Sequence, residues 1–454
     1  MPHCDAMELE ITLARSETVA EWDRMVRAFL SHSAETPAHL GKVLEADPDF
    51  ALAWAAKGLF YLLLGRSELV PVARDALAEA RRAAAVTQPT VREQGYVEAL
   101  AAFLAGRPSL AAEMLGEIVK VHPTDMLAVK LDQAIRFILG DRKGMEQSML
   151  AAIPAIGRDH PYWGYAQGCM SFAFEENGDY VSAERFGRAG LEVVSDDAWG
   201  LHSVAHVYDM TARNDEGIAW LEARTGSWAH CNNFGYHVWW HLGLFYLDKG
   251  QFDRVLELYD TRIRPEHTDD YRDISNGAAM LVRLEIEGVD VGDRWEELAA
   301  LSAGRVEDGS VVFADLHYLL ALNGCGRSAE ADALVARIAS DAQRSDHDMH
   351  EVQALAGLPC ATGLAAFRAG NYALAFDQLR LSRPMLQKVG GSHAQRDVFS
   401  RLLIEAGMRA GRWEEAEAET HARAARRGAE DNFTHRRLEA IARHRQAIGG
   451  RSGT

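Results

Sequence analysis

Short helix-breaking signals recur along the chain with a regular spacing. They fall at Gly65-Arg66, Gly106-Arg107, Gly140-Asp141, Gly178-Asp179, Asn214-Asp215, Gly250-Gln251, Gly288, Gly326-Arg327, Gly370-Asn371 and Gly411-Arg412, 34 to 44 residues apart. Between them the sequence is rich in Ala, Leu, Glu and Arg, which favour helix, and strand-like alternation of Val, Ile and Thr is nearly absent. Each interval holds two helices of ordinary length and a turn. A two-helix unit repeated at this period predicts an all-α chain, an α-solenoid of about ten divergent tetratricopeptide-like helix pairs wound into a superhelix. Residues 1–45 read as an N-terminal helical cap, 46–430 as the repeat superhelix, and 431–454 as a C-terminal capping helix with a flexible Gly-Gly-Arg-Ser-Gly-Thr end.

Packing signatures run in phase with the breaks. Trp239-x-x-Leu242-Gly243-x-x-Tyr246 and Trp54-x-x-Lys57-Gly58-x-x-Tyr61 repeat one first-helix pattern. The turn Gly-x-aromatic-x-x-small occurs at Gly178-Tyr180-Ala183, Gly250-Phe252-Val255, Gly370-Tyr372-Ala375 and Gly411-Trp413-Ala416. Glycine ends a helix in a conformation other residues resist, and the small residue lets two helices approach. Trp54, Gly58, Trp239, Gly243 and Tyr259 are therefore expected between helices.

Composition narrows the function. A net charge of −18 disfavours nucleic acid and anionic membranes, and no apolar run approaches the roughly 20 residues of a membrane span. The Arg-rich stretch from His421 onward reads as a solvated cap. The polar N-terminus is not a secretory signal, and five widely spaced cysteines without C-x-x-C read as reduced thiols. Cytoplasm is the expected compartment.

Chemistry concentrates in histidines. His202-Ser203-Val204-Ala205-His206 and His237-Val238-Trp239-Trp240-His241 each place two imidazoles one helical turn apart, on one face, and the two pairs are 35 residues apart. They should occupy equivalent positions on neighbouring repeats. Asn276 follows His237 by 39 residues, and the steps from His241 to His317 and from His317 to His393 are each 76. Such phasing predicts a concave pocket lined by His202, His206, Asn233, Tyr236, His237, His241, Asp315, His317, His393 and Arg396, with Trp228, Trp239 and Trp240 as aromatic surface.

Three uses are open. The histidines can simply hydrogen-bond neighbours. They can hold a small anionic ligand or a peptide on the concave face, with Arg396 as donor. Or His202, His206, His237 and His241 can bind a divalent metal or act as acid–base groups in an enzyme, hydrolysis being one such reaction. The spacing H-x-x-x-H lacks the glutamate of H-E-x-x-H, so it carries no metalloprotease signature; Asp209 and Asp315 are the nearby carboxylates. Ser392 reads as a helix cap, and Cys231 and Cys360 as buried small residues.

The chain resembles the tetratricopeptide repeat protein 38-like family over most of its length. The resemblance is carried by His202-Ser-Val-Ala-His206, Trp228-x-x-Cys231-Asn232-Asn233-Phe234-Gly235-Tyr236-His237-x-Trp239-Trp240-His241, Phe313-Ala314-Asp315-Leu316-His317-Tyr318 and Gly390-Gly391-Ser392-His393-Ala394-Gln395-Arg396-Asp397. It implies a divergent tetratricopeptide superhelix and names no reaction.

Overall fold

The computed structural model describes residues 3–449; the terminal stretch expected to be flexible lies almost wholly outside them. The described chain is all-α apart from a two-residue hairpin, in which His3–Cys4 pairs antiparallel with Glu10–Ile11. Consecutive helices pack as pairs. Ala51–Leu63 lies against Val70–Thr87, Val91–Leu104 against Pro108–Val121, Trp163–Glu176 against Tyr180–Val193, and Leu358–Arg368 against Tyr372–Ser382.

The breaks explain the pairing. At nine of the ten the glycine has φ between +60° and +85°. At Gly178, for example, the backbone closes with Gly178 N–H to Glu175 O (2.9 Å) and Asp179 N–H to Phe174 O (3.0 Å). This left-handed closure satisfies carbonyls that the helix end would otherwise leave open. The next residue then caps the following helix, since the Asp179 side chain accepts from Ser182 N–H. At the tenth break the left-handed residue is Ala212, at φ +55°, with the same bond from Arg213 N–H to Tyr208 O (2.9 Å). A Cβ is disfavoured there. Ala212→Gly is expected to raise stability by about 1 kcal/mol, read as a higher urea midpoint; an unchanged or lower midpoint would count against strain at this turn.

Small residues set the approach of the helices. A Cβ on Gly58 would stand 2.4 Å from Leu100 Cδ2, and one on Gly190 would stand 2.6 Å from Gly164 O. Gly58 and Tyr259 are buried, as expected, and Gly243 is closely faced by Met280 and Ile263. Trp54 and Trp239 are only partly buried, with Lys57 and Arg262 over their rings.

The chain groups into two compact bodies. One comprises the residues up to Val204 together with Arg224–Gly235 and Arg344–His350; the other comprises Ala205–Ala223, Tyr236–Gln343 and Glu351 onward. In the first body, two returning segments join the N-terminal helices: Asn232 N–H bonds His32 O (2.8 Å), and Asp348 N–H bonds Gly106 O (3.1 Å).

The Arg-rich C-terminal region corrects the sequence expectation. Arg423 and Arg427 are buried, not solvated. Asp397 accepts from Arg401 Nε (2.7 Å) and from Arg423 Nε (2.6 Å). Asp431 accepts from Arg423 Nη2 (2.7 Å), and Asp209 accepts from Arg427 Nη2 (2.9 Å). Three aspartates thus alternate with three arginines, and the Phe433 ring lies under Arg401 and Arg423. Charge periodicity shows a cationic helix but not the carboxylates, 8 to 218 residues away, that it meets. No described helix is long and apolar enough to cross a membrane.

Candidate metal centre

The helix Ala198–Met210 presents His202 and His206 one turn apart, and Phe234–Asp248 presents His237 and His241 likewise. His206, His237 and His241, all in the second body, each offer one nitrogen to a single close cluster. His202, His206 and His241 are at most 2% exposed, and His237 is partly buried.

The tightest part of the cluster is His206, His237 and His241. His237 Nε2 and His241 Nε2 are 3.2 Å apart, and the rings of His206 and His241 have centroids 4.4 Å apart. His237 Nδ1–H donates to Asn276 Oδ1 at 3.0 Å. This bond fixes the ring and leaves a lone pair on Nε2, as an outer partner does for a metal-ligating histidine. Two nitrogens bound to one tetrahedral zinc at about 2.0–2.1 Å stand roughly 3.3–3.4 Å apart, so the His237–His241 spacing already suits one ion. Burial pushes His237 down to about 3, with His206 acting in the same direction, and pushes His241 well below the usual imidazole range. Both are neutral at pH 7, the form that binds metal.

His202 has a distinct setting. Its ring lies 5.2 Å from both Trp199 and Phe234 and 5.9 Å from Phe172, centroid to centroid. On the other helix Trp240 is fully buried and stacks on His237 at 5.4 Å, with the Arg283 guanidinium 5.5 Å from its ring centroid. Sequence reading placed Trp240 near the site but missed Arg283. A signal existed, because Arg283 follows Asn276 by seven residues, two turns along one helix face.

The remaining predicted residues have other engagements. Asn233 and Tyr236 are partly buried at the start of the His237 helix, with Tyr236 bonded to Glu266. Asp315 is ion-paired with Arg337 at 2.5 Å and lies 3.4 Å from Gln353 Nε2; burial still raises its carboxyl to about 6. His317 is fully buried between Phe313 and Phe399, donating Nδ1–H to Phe313 O (2.8 Å). Arg396 donates to the carbonyls of Gly390 and Gly391 and to Gln387 Oε1 (2.7 Å), beside His393. Ser392 caps the helix His393–Arg409 in a reciprocal bond with Gln395. Cys360 is fully buried and Cys231 partly so.

A cavity of about 260 Å³ opens among Val282, Trp295, Leu320, Phe367, Tyr372 and Arg409, and its walls include none of the predicted site residues. The histidines therefore stand together as a compact polar cluster, away from that cavity.

No family model matches the chain. Among solved structures it is similar to one titled Naa15/Naa10 bound to HypK-THB, at 13% identity, covering 90% of this chain and 64% of that one with a TM-score of 0.26. The chain thus spans less than two thirds of that structure's chain, and so distant and partial a likeness lends the site no function.

Proposed function

We propose that the protein is a metal-dependent enzyme of hydrolytic type, with a first-row divalent ion held by His206, His237 and His241. The carrying observation is the convergence of buried imidazoles from two helices, with one Nε2–Nε2 spacing of 3.2 Å and an oriented His237 ring. Three neutral nitrogen ligands with one open position are the arrangement of catalytic zinc, which lowers the pKa of its bound water toward 7. The helix pairs that carry these residues are read as tetratricopeptide-like units, supported by the left-handed glycine turns and the small residues between helices. The alternative, a binder of a small ligand or peptide in a His-lined groove, leaves the 3.2 Å Nε2–Nε2 spacing and the oriented His237 ring without a use.

The test is metal content after chelator stripping and reloading with Zn²⁺ or Co²⁺. Near-stoichiometric uptake is expected, with loss in His241→Ala and a weaker site in His237→Gln, at unchanged helical circular dichroism. Wild-type uptake by His241→Ala, or no uptake by the native chain, would overturn the proposal.

A further inference from the structure

Beside the histidine pair, hydrogen-bond donors outnumber acceptors. Arg283 is 1% exposed, and its guanidinium reaches two backbone carbonyls, Ala279 O (2.9 Å) and Ala394 O (2.6 Å), but no carboxylate lies within ion-pair distance among the described residues. The two carboxylates that act on it from further away are committed elsewhere, Asp209 to Arg427 and Asp397 to Arg401 and Arg423. Buried charges are ordinarily paired. Burial and Arg401 lower Arg283 to about 9, so it remains a cation at neutral pH.

Two further donors lie around the same ring. Trp240 Nε1–H is buried and meets no acceptor among the described residues, and Asn276 Nδ2 is likewise buried and unmatched while its Oδ1 holds His237. Trp240 contacts His237, His241 and Arg283 at ring distance. The Arg283 guanidinium faces the Trp240 ring, Trp240 stacks on His237 and Asn276 bonds His237, so one full positive charge and two unmatched neutral donors border the Trp240–His237 ring pair, and the chemistry missing from the group is a cluster of acceptor lone pairs bearing negative charge.

We propose that Arg283, Trp240 and Asn276 form an oxyanion subsite, and that the substrate of the metal centre carries a carboxylate or phosphate group bound there. This rests on the metal reading above. The anion offsets Arg283 and the divalent ion together, which neutral imidazoles cannot do. A neutral substrate would leave both charges buried without a counter-ion.

The test uses the full chain loaded with Co²⁺, whose visible absorption reports its ligands, titrated separately with inorganic phosphate and with acetate. Saturable spectral change with phosphate alone assigns a phosphate-bearing substrate, and change with acetate alone a carboxylate; both responding shows a general oxyanion site. Arg283→Met is expected to weaken the responding anion by about 10- to 100-fold, the effect of removing a charge-assisted bond, with cobalt uptake retained. If that variant does not fold, Trp240→Phe keeps an aromatic side chain while removing the indole N–H, and is expected to weaken binding about 2- to 10-fold. Cobalt uptake with a spectrum indifferent to both anions overturns this proposal alone, as does wild-type anion affinity in a folded Arg283→Met. Failure of cobalt uptake overturns the metal reading and this proposal with it.

Discussion

Asp397→Ala is expected to destabilise the protein by about 3–5 kcal/mol, the usual cost of breaking a buried ion pair by removing one partner. The carboxylate takes bonds at 2.6–2.8 Å from Arg401 and from two nitrogens of Arg423. Arg423 keeps Asp431 as a second partner, but Arg401 retains only a long contact to Asp431 at 3.7 Å. Its guanidinium would be left largely uncompensated at 5% exposure. Arg401→Leu in the Asp397→Ala background should recover part of the loss, because the orphaned charge goes with it. The measurement is urea unfolding of the wild type and the two variants. A cost below about 1 kcal/mol for Asp397→Ala, the level of an exposed pair, would show that water reaches the network.

Acid is expected to unfold the protein progressively as pH falls from about 6.5 toward 3. Burial lowers His317 to about 3, and Arg283 acts in the same direction. An unfolded histidine titrates near 6.5. Above pH 6.5 both states hold His317 neutral, and it adds no pH dependence. Between 6.5 and 3 the unfolded chain binds a proton that the folded one refuses, so stability falls as pH falls. The loss from this residue is on the order of a few kcal/mol. Asp397 is held well below the usual carboxylate range by Arg423 and Arg401 against its burial, so its stabilisation is full above about pH 4 and fades below. His317→Asn keeps a donor for Phe313 O without the titration. Its stability relative to wild type should therefore rise as pH is lowered from 7 to 4.5, measured by chemical unfolding at each pH. A difference constant across that range would remove His317 from the acid response.

The repeat was readable because its determinants are local. A glycine such as Gly178, followed by a capping aspartate, ends one helix and starts the next within three residues, so the break is visible without knowing what packs against it. The histidine cluster was readable for a related reason: two i, i+4 pairs set one repeat apart must come near each other if neighbouring helices pack in register. Asp315 and Arg396 have the right spacing, yet Arg337 and the carbonyls of Gly390 and Gly391 engage them, and neither competitor is visible in a periodicity. Arg283 and the Asp397 network were hidden for a similar reason. Arg283 meets Ala394 O from 111 residues away and Arg427 meets Asp209 from 218, and a buried arginine has the same letter as a surface one.

The two returning segments of the first body bear on how the chain is made. His32 waits for Asn232, and Gly106 for Asp348, so a chain emerging from the ribosome cannot finish its N-terminal half when that half has been synthesised. More than two hundred further residues must appear before Asp348 can dock on Gly106 and Ser109. A fragment cut after Val204, although it contains most of that body, would leave these backbone groups to solvent, and a stop codon anywhere before Asp348 would damage the beginning of the protein as well as its end.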